Sequence, residues 1–204
     1  MNGIPNELKE LKQWHCWAER QDAKGDTQKI PVQVNGQPAK SNDPETWTDY
    51  ETAAEASKRF AGLAFELAPP FVGVDLDNCF DDELELTDWA VEILQELQGV
   101  AYIEYSPSGY GLKAITQAVK PEGSTCQHKF SEHAKEQVEC YSGGRFWTMT
   151  GAVYGGQDHI ADGQAAIDAI CQKWLTPEDR PQPAAEAPRQ PLQSLPINPD
   201  ALHV

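Results

Sequence analysis

Apolar and polar positions alternate most sharply in the short run Phe71-Val-Gly-Val-Asp-Leu-Asp77, just after Pro69 and Pro70. Period-two alternation marks a β-strand, and side chains two apart share a face. Val74 and Leu76 then enter a core while Asp75 and Asp77 project together from the other side. The same reading gives a helical turn from Leu8 and strands over 14–18 and 29–34, the second an edge strand because it contains Pro31. A helix over 49–60 follows. The strand 62–67 is expected to form a hairpin with the Asp75 strand. Thr87 should cap a helix over 88–98, with Trp89, Ile93, Leu94 and Leu97 on its apolar face. Strands over 101–105, 112–116, 137–141 and 145–150 and an amphipathic helix over 162–174 complete the pattern. With no internal repeat, this predicts an α+β fold with a largely antiparallel sheet flanked by helices.

Periodicity stops near Leu175. Residues 176–204 are rich in proline and lack an apolar face, so they are expected to form a linker or disordered tail after one domain spanning 1–175. A linker of this kind suits a further domain or a partner beyond it, and a free tail is equally allowed. No apolar run reaches the roughly 18–20 residues needed to cross a bilayer, and the first residues lack the basic and apolar regions of a signal peptide. A cytoplasmic protein without membrane contact is expected. Cys16, Cys79, Cys126, Cys140 and Cys171 are odd in number and form no Cys-x-x-Cys pair, so they are read as reduced and structural. Net charge is −16, from 32 acids against 16 Lys and Arg. That balance argues against tight DNA binding, although it leaves a local basic groove or a metal-bridged contact undecided.

Three segments add chemistry to the aspartates. Asp75 and Asp77 are hard oxygen donors, suited to Mg²⁺ or Mn²⁺; an Asp-rich strand end is the plain alternative. The turn Tyr105-Ser-Pro-Ser-Gly-Tyr-Gly-Leu-Lys113 offers the hydroxyls of Ser106 and Ser108, backbone freedom and N–H groups at Gly109 and Gly111, and the ammonium of Lys113. Such nests hold phosphate oxygens, and an ordinary hairpin loop has the same composition. In Val138-Glu-Cys-Tyr141, Glu139 shares a face with Tyr141 and would add a third carboxylate. Arg145, after Ser142-Gly-Gly, is read either as a triphosphate clamp or as an ion-pair partner of Glu139 across the turn.

The order of these pieces resembles the primase-polymerases of the archaeo-eukaryotic primase superfamily, in the branch carried by phages and plasmids. The resemblance rests on the Asp-x-Asp strand, the Ser-Pro-Ser-Gly-x-Gly-Leu turn and the Glu-x-Tyr-x-x-Gly-Arg-Phe-x-Thr-x-Thr-Gly hairpin, in which the strands over 137–141 and 145–150 are expected to pair. It extends upstream through Gln13-Trp14, Trp17, Lys29-Ile-Pro31 and residues 39–47, and covers about 8–174. It implies that Asp75, Asp77 and Glu139 are catalytic and metal-binding. It further implies that Ser106, Ser108, Gly109, Gly111, Lys113 and Arg145 bind the nucleotide. The superfamily usually carries histidine where Lys113 stands, and an ammonium lacks imidazole's fixed geometry and neutral form.

The implied activity is template-directed nucleotidyl transfer, as a DNA primase or DNA polymerase with two divalent metals. Its substrates would be nucleoside triphosphates and a single-stranded or primed DNA template. A catalytically weak, nucleotide- and DNA-binding replication module that recruits a helicase is the alternative. A metal-dependent nuclease ranks third, because His15, His128, His133, His159 and His203 show no spacing that would activate water.

Overall fold

The computed structural model describes residues 3–131 and 135–177. The proline-rich segment from 178 onward, with His133 and His203, lies outside the described residues. Two antiparallel sheets organise the rest. One runs β2-β1-β3-β9, from β1 (Trp14–Gln21), β2 (Thr27–Val32), β3 (Gly62–Leu67) and β9 (Arg145–Met149). The other runs β5-β6-β4-β8-β7, from β4 (Phe71–Asp77), β5 (Tyr102–Tyr105), β6 (Leu112–Gln117), β7 (Gln127–Lys129) and β8 (Gln137–Tyr141). The α+β reading holds, but the sheet is divided in two.

That division corrects two expectations. β3 and β4 do not form a hairpin: β3 pairs with β1 and β9, whereas β4 pairs with β6 and β8. β8 and β9, only three residues apart, likewise enter different sheets. The reason is apolar on both counts. β4 buries Val72, Val74 and Leu76 against the helices, while β3 buries Leu63, Phe65 and Leu67 in a second core.

The helices follow their patterns closely. α1 is the short turn Asn6–Lys9, and α2 spans Tyr50–Ser57. At the head of α2 the Asp49 carboxylate accepts from the Thr52 N–H, which holds the Asp49 pKa below its ordinary value. α3 (Asp88–Leu97) buries Trp89, Ala90, Ile93, Leu94 and Leu97. Thr87 sits at its cap position, yet its hydroxyl donates to the Cys79 carbonyl and caps nothing. α3 and α4 (Gln164–Trp174) cover the outer face of the five-stranded sheet, packing on Val74, Leu76, Leu112, Ala114, Val138 and Cys140. Each large apolar side chain buried there contributes about 1.5–3 kcal/mol. Cys16, Cys79, Cys140 and Cys171 are buried, Cys126 is exposed, and all are unbridged.

The two sheets share the core of Leu63, Phe65 and Met149 with Phe71, Tyr102 and Ile115, and two further contacts tie them together. Glu104 on β5 is fully buried and accepts from the Tyr102 hydroxyl at 2.5 Å and from the Gly151 N–H at 2.8 Å, just beyond β9. The Thr150 N–H adds a further bond at 3.0 Å. At the second contact the Cη2 and Cζ2 atoms of the Trp147 ring of β9 approach Gly73 of β4, where a Cβ would come within 2.9 Å of the ring. Gly73→Val should therefore lower stability by about 1–3 kcal/mol through overpacking, read as an earlier midpoint in urea unfolding; an unchanged midpoint would refute that contact.

Candidate active-site cleft

The central strand β4 sets the geometry of the acids. In register, Asp75 lies opposite Lys113 of β6 on one side and Glu139 of β8 on the other. Lys113 is in turn opposite Glu104 of β5. One transverse row therefore reads Glu104, Lys113, Asp75, Glu139, with all four side chains on the face away from the helices. Asp77 and Gln137 form the next such pair.

This row opens into a cleft of about 260 Å³ lined by Lys29, Asp75, Asp77, Ser106, Ser108, Lys113, Glu139, Tyr141 and Arg145, with Phe146, Trp147 and Thr148. Carboxylate oxygens of Asp75, Asp77 and Glu139 lie within 4.8 Å of one another. At an effective dielectric constant near 20, each such pair of charges repels by roughly 3 kcal/mol. The cluster therefore needs compensation, and three neighbours supply it. The Lys113 ammonium pairs with Asp75 Oδ2 and rests 4.3 Å from the Trp147 ring centroid. Gln137 Nε2 donates to Asp77 at 2.8 Å and to Glu139 at 3.3 Å. Lys29 of β2 adds a positive charge from the opposite sheet, attracted by Asp75 and Asp77.

The balance remains incomplete. Burial pushes the Asp75 carboxyl above its ordinary value against the pull of Lys113, and its Oδ1 is buried without a hydrogen-bond partner. Burial, followed by the charges of Asp75 and Asp77, raises Glu139 as well. A divalent cation fits this donor set: three hard oxygen ligands converge, one of them a desolvated oxygen with no partner.

The turn over 105–113, read as a phosphate cradle, closes in a way that differs from that expectation. Ser106 and Ser108 hydroxyls lie 2.9 Å apart and both line the cleft. The Gly109 N–H, expected to be a free donor, closes the turn onto the Ser106 carbonyl at 2.9 Å, with Gly109 at φ +77°. Gly111 serves a different need, because a Cβ there would stand 2.6 Å from the Leu76 carbonyl oxygen. Lys113, read as a phosphate contact, is held by Asp75 instead. Arg145 forms no ion pair with Glu139 among the described residues. Its guanidinium stacks over the Tyr141 ring and donates to the Tyr141 hydroxyl at 2.8 Å.

Sequence reasoning did not single out Gln137, Trp147 or Thr148, or give Lys29 a site role. Gln137 was legible, since it continues the Gln-x-Glu-x-Tyr alternation that exposes Glu139. Lys29 was not, because its approach depends on how the two sheets face each other. His15, considered for water activation, is fully buried and bonded to Glu66 at 2.7 Å, and it is not among the residues that line the cleft.

No protein-family model matches the chain. Over 161 residues the chain is 34% identical to a protein named DNA primase-polymerase from Nitratiruptor phage NrS-1, covering 76% of this chain and 21% of that protein. The chain thus spans about a fifth of that relative's length. The similarity supports the primase-polymerase resemblance carried by the motifs. Among the described residues no helix is long and apolar enough to cross a membrane.

The raised Glu139 pKa has a definite sign. In the unfolded chain the group ionises near 4.5, so the folded state is penalised as pH rises above that value, and fully so once pH passes the higher folded value. Glu139→Gln removes the penalty. Metal-free thermal melts should show the variant a few degrees more stable at pH 7, with the difference vanishing below about pH 4; equal melting points at pH 7 would contradict the penalty assigned to burial and to the neighbouring carboxylates.

Proposed function

We propose that this chain is the nucleotidyl-transfer core of a DNA primase-polymerase of the archaeo-eukaryotic kind, acting in phage or plasmid replication. The observation that carries the reading is the convergence of Asp75, Asp77 and Glu139 beside the paired hydroxyls of Ser106 and Ser108 in one cleft. The named phage relative supports it. In this reading Asp75, Asp77 and Glu139 hold two Mg²⁺ or Mn²⁺ ions, and a nucleoside triphosphate lies along the serine turn.

Bound there, such ions lower the cost of forming a 3′-oxyanion and of releasing pyrophosphate. The protein's own groups do the rest. The ammonium of Lys113 favours the ionised form of Asp75 at neutral pH, against the desolvation that raises it. Gln137 fixes the carboxylates of Asp77 and Glu139 as acceptors. Ser106 and Ser108 donate to phosphate oxygens, Arg145 presents a planar fork at the rim, and Phe146 and Trp147 wall off water. The 3′-oxygen attacks the α-phosphorus, the bond to the β-phosphate oxygen breaks, and the hydroxyl proton passes to solvent. A primed or single-stranded DNA template and a helicase domain or subunit following the 178–204 segment belong to the same proposal.

One observation favours a second reading. Lys113 already satisfies one oxygen of Asp75, which would weaken ion binding and suit a nucleotide-binding replication module of low or no turnover.

Extension of a labelled primer on a DNA template with Mg²⁺ or Mn²⁺ separates the two. The wild type should extend, and Asp77→Ala should lose at least about 100-fold in rate, the scale of removing one preorganised electrostatic group. Its melting point should stay near the wild-type value. Mn²⁺ should raise the melting point of the wild type and not of the variant. Extension retained by Asp77→Ala would sink the assignment; nucleotide binding with no extension by the wild type would favour the second reading.

A further inference from the structure

Resting on the nucleotidyl-transfer reading, we infer that Lys29, supplied by the four-stranded sheet, is the principal side-chain ligand of the terminal phosphates of the incoming nucleotide. Three cations line the cleft: Lys29, Lys113 and Arg145. Two of them are engaged. Lys113 is buried in its ion pair with Asp75 and packed on Trp147. Arg145 is occupied by the ring and hydroxyl of Tyr141. Among the described residues the Lys29 amine forms neither an ion pair nor a hydrogen bond, and it lies 5.4 Å from the centroid of the Trp17 ring.

The fold aims this amine deliberately. Lys29 pairs with Glu19 across β1–β2, which puts it on the face that also carries His15 and Trp17. That face continues through Thr148 and Phe146 of β9, both of which line the cleft. Trp17, the support beneath Lys29, closes onto Gly62, where a Cβ would come within 2.5 Å of the indole nitrogen. The residue as a whole is exposed, yet burial around the amine and then the charge of Lys113 lower its pKa, with Asp75 and Asp77 opposing. A flexible four-carbon stem whose ammonium has only the Trp17 ring beside it, in the cleft that also holds the serine turn and the acids, has the chemistry of a phosphate ligand. Because Ser106 and Ser108 come from one sheet and Lys29 from the other, a triphosphate would be gripped from both sides of the cleft.

The test is calorimetric titration of the full chain with dATP, dADP and dAMP, repeated with the ribonucleotide series, in excess Mg²⁺ and without template. Wild-type affinity should fall as phosphates are removed. Lys29→Met should weaken triphosphate binding about tenfold or more, leave monophosphate binding within about twofold, and flatten the dependence on phosphate number. Lys29→Arg should recover most of the loss. Because Lys29 also offsets the charge of the acids, the Lys29→Met titrations are run well below its own measured melting point, so that lost affinity reports binding and not unfolding. Triphosphate affinity unaltered in Lys29→Met overturns the inference, as does equal weakening of triphosphate and monophosphate. A wild type that binds no nucleotide of either series overturns the nucleotidyl-transfer reading itself, a result distinct from the other two.

Discussion

Three carboxylates held within 4.8 Å of one another in a partly buried cleft are the constraint that the rest of the molecule accommodates. Mutual repulsion and lost hydration both oppose the arrangement, so the backbone beneath it must be held rigidly. Placing the two aspartates on β4 achieves this, because β4 is central and hydrogen-bonded on both sides, and its opposite face is nailed down by Val72, Val74 and Leu76 against the helices. The buried ammonium of Lys113 and the amide of Gln137 are the local compensations. Neither completes the balance, and the oxygen left over on Asp75 is the mark of a site shaped for something additional.

The two sheets divide the labour. The five-stranded sheet carries the acids and the serine turn, while the four-stranded sheet brings Lys29, Arg145 and the aromatic wall. Their mutual position rests on Glu104, which ties β5 to the backbone at 150–151, and on Trp147, which uses the missing side chain of Gly73 to approach β4. The same tryptophan is the surface on which Lys113 lies, so a packing contact between sheets also orients the counter-charge of the acids.

Strands, helices and the acidic trio were legible in the sequence because each depends on local periodicity. β8 runs over the expected residues, and Trp89, Ile93, Leu94 and Leu97 are buried as their spacing implies. What the sequence concealed were decisions between distant elements. The assignment of β3 and β4 to separate sheets depends on which apolar set meets which core, and the approach of Lys29 depends on the angle between those sheets. Lys113 was visible as a cation, but its choice of Asp75 over an open phosphate site follows from cross-strand register. Thr87 shows the same limit at small scale: its position was right for a cap, while the nearby Cys79 carbonyl took its hydroxyl.

The connection between β8 and β9 carries a consequence for how such a domain can change over time. Only residues 142–144 separate Tyr141, in one wall of the cleft, from Arg145, in the other, and Gly144 takes φ +68° to make the step. A conventional hairpin loop tolerates added residues because its strands stay zipped together. Here the two strands are pledged to different sheets, so the link acts as a calibrated spacer whose length fixes the aperture between the walls. Insertions are far easier to absorb at the exposed turn around Asp22–Asp26 than in these three residues, and lineages that diversify such a chain would be free at its rim and bound at this tether.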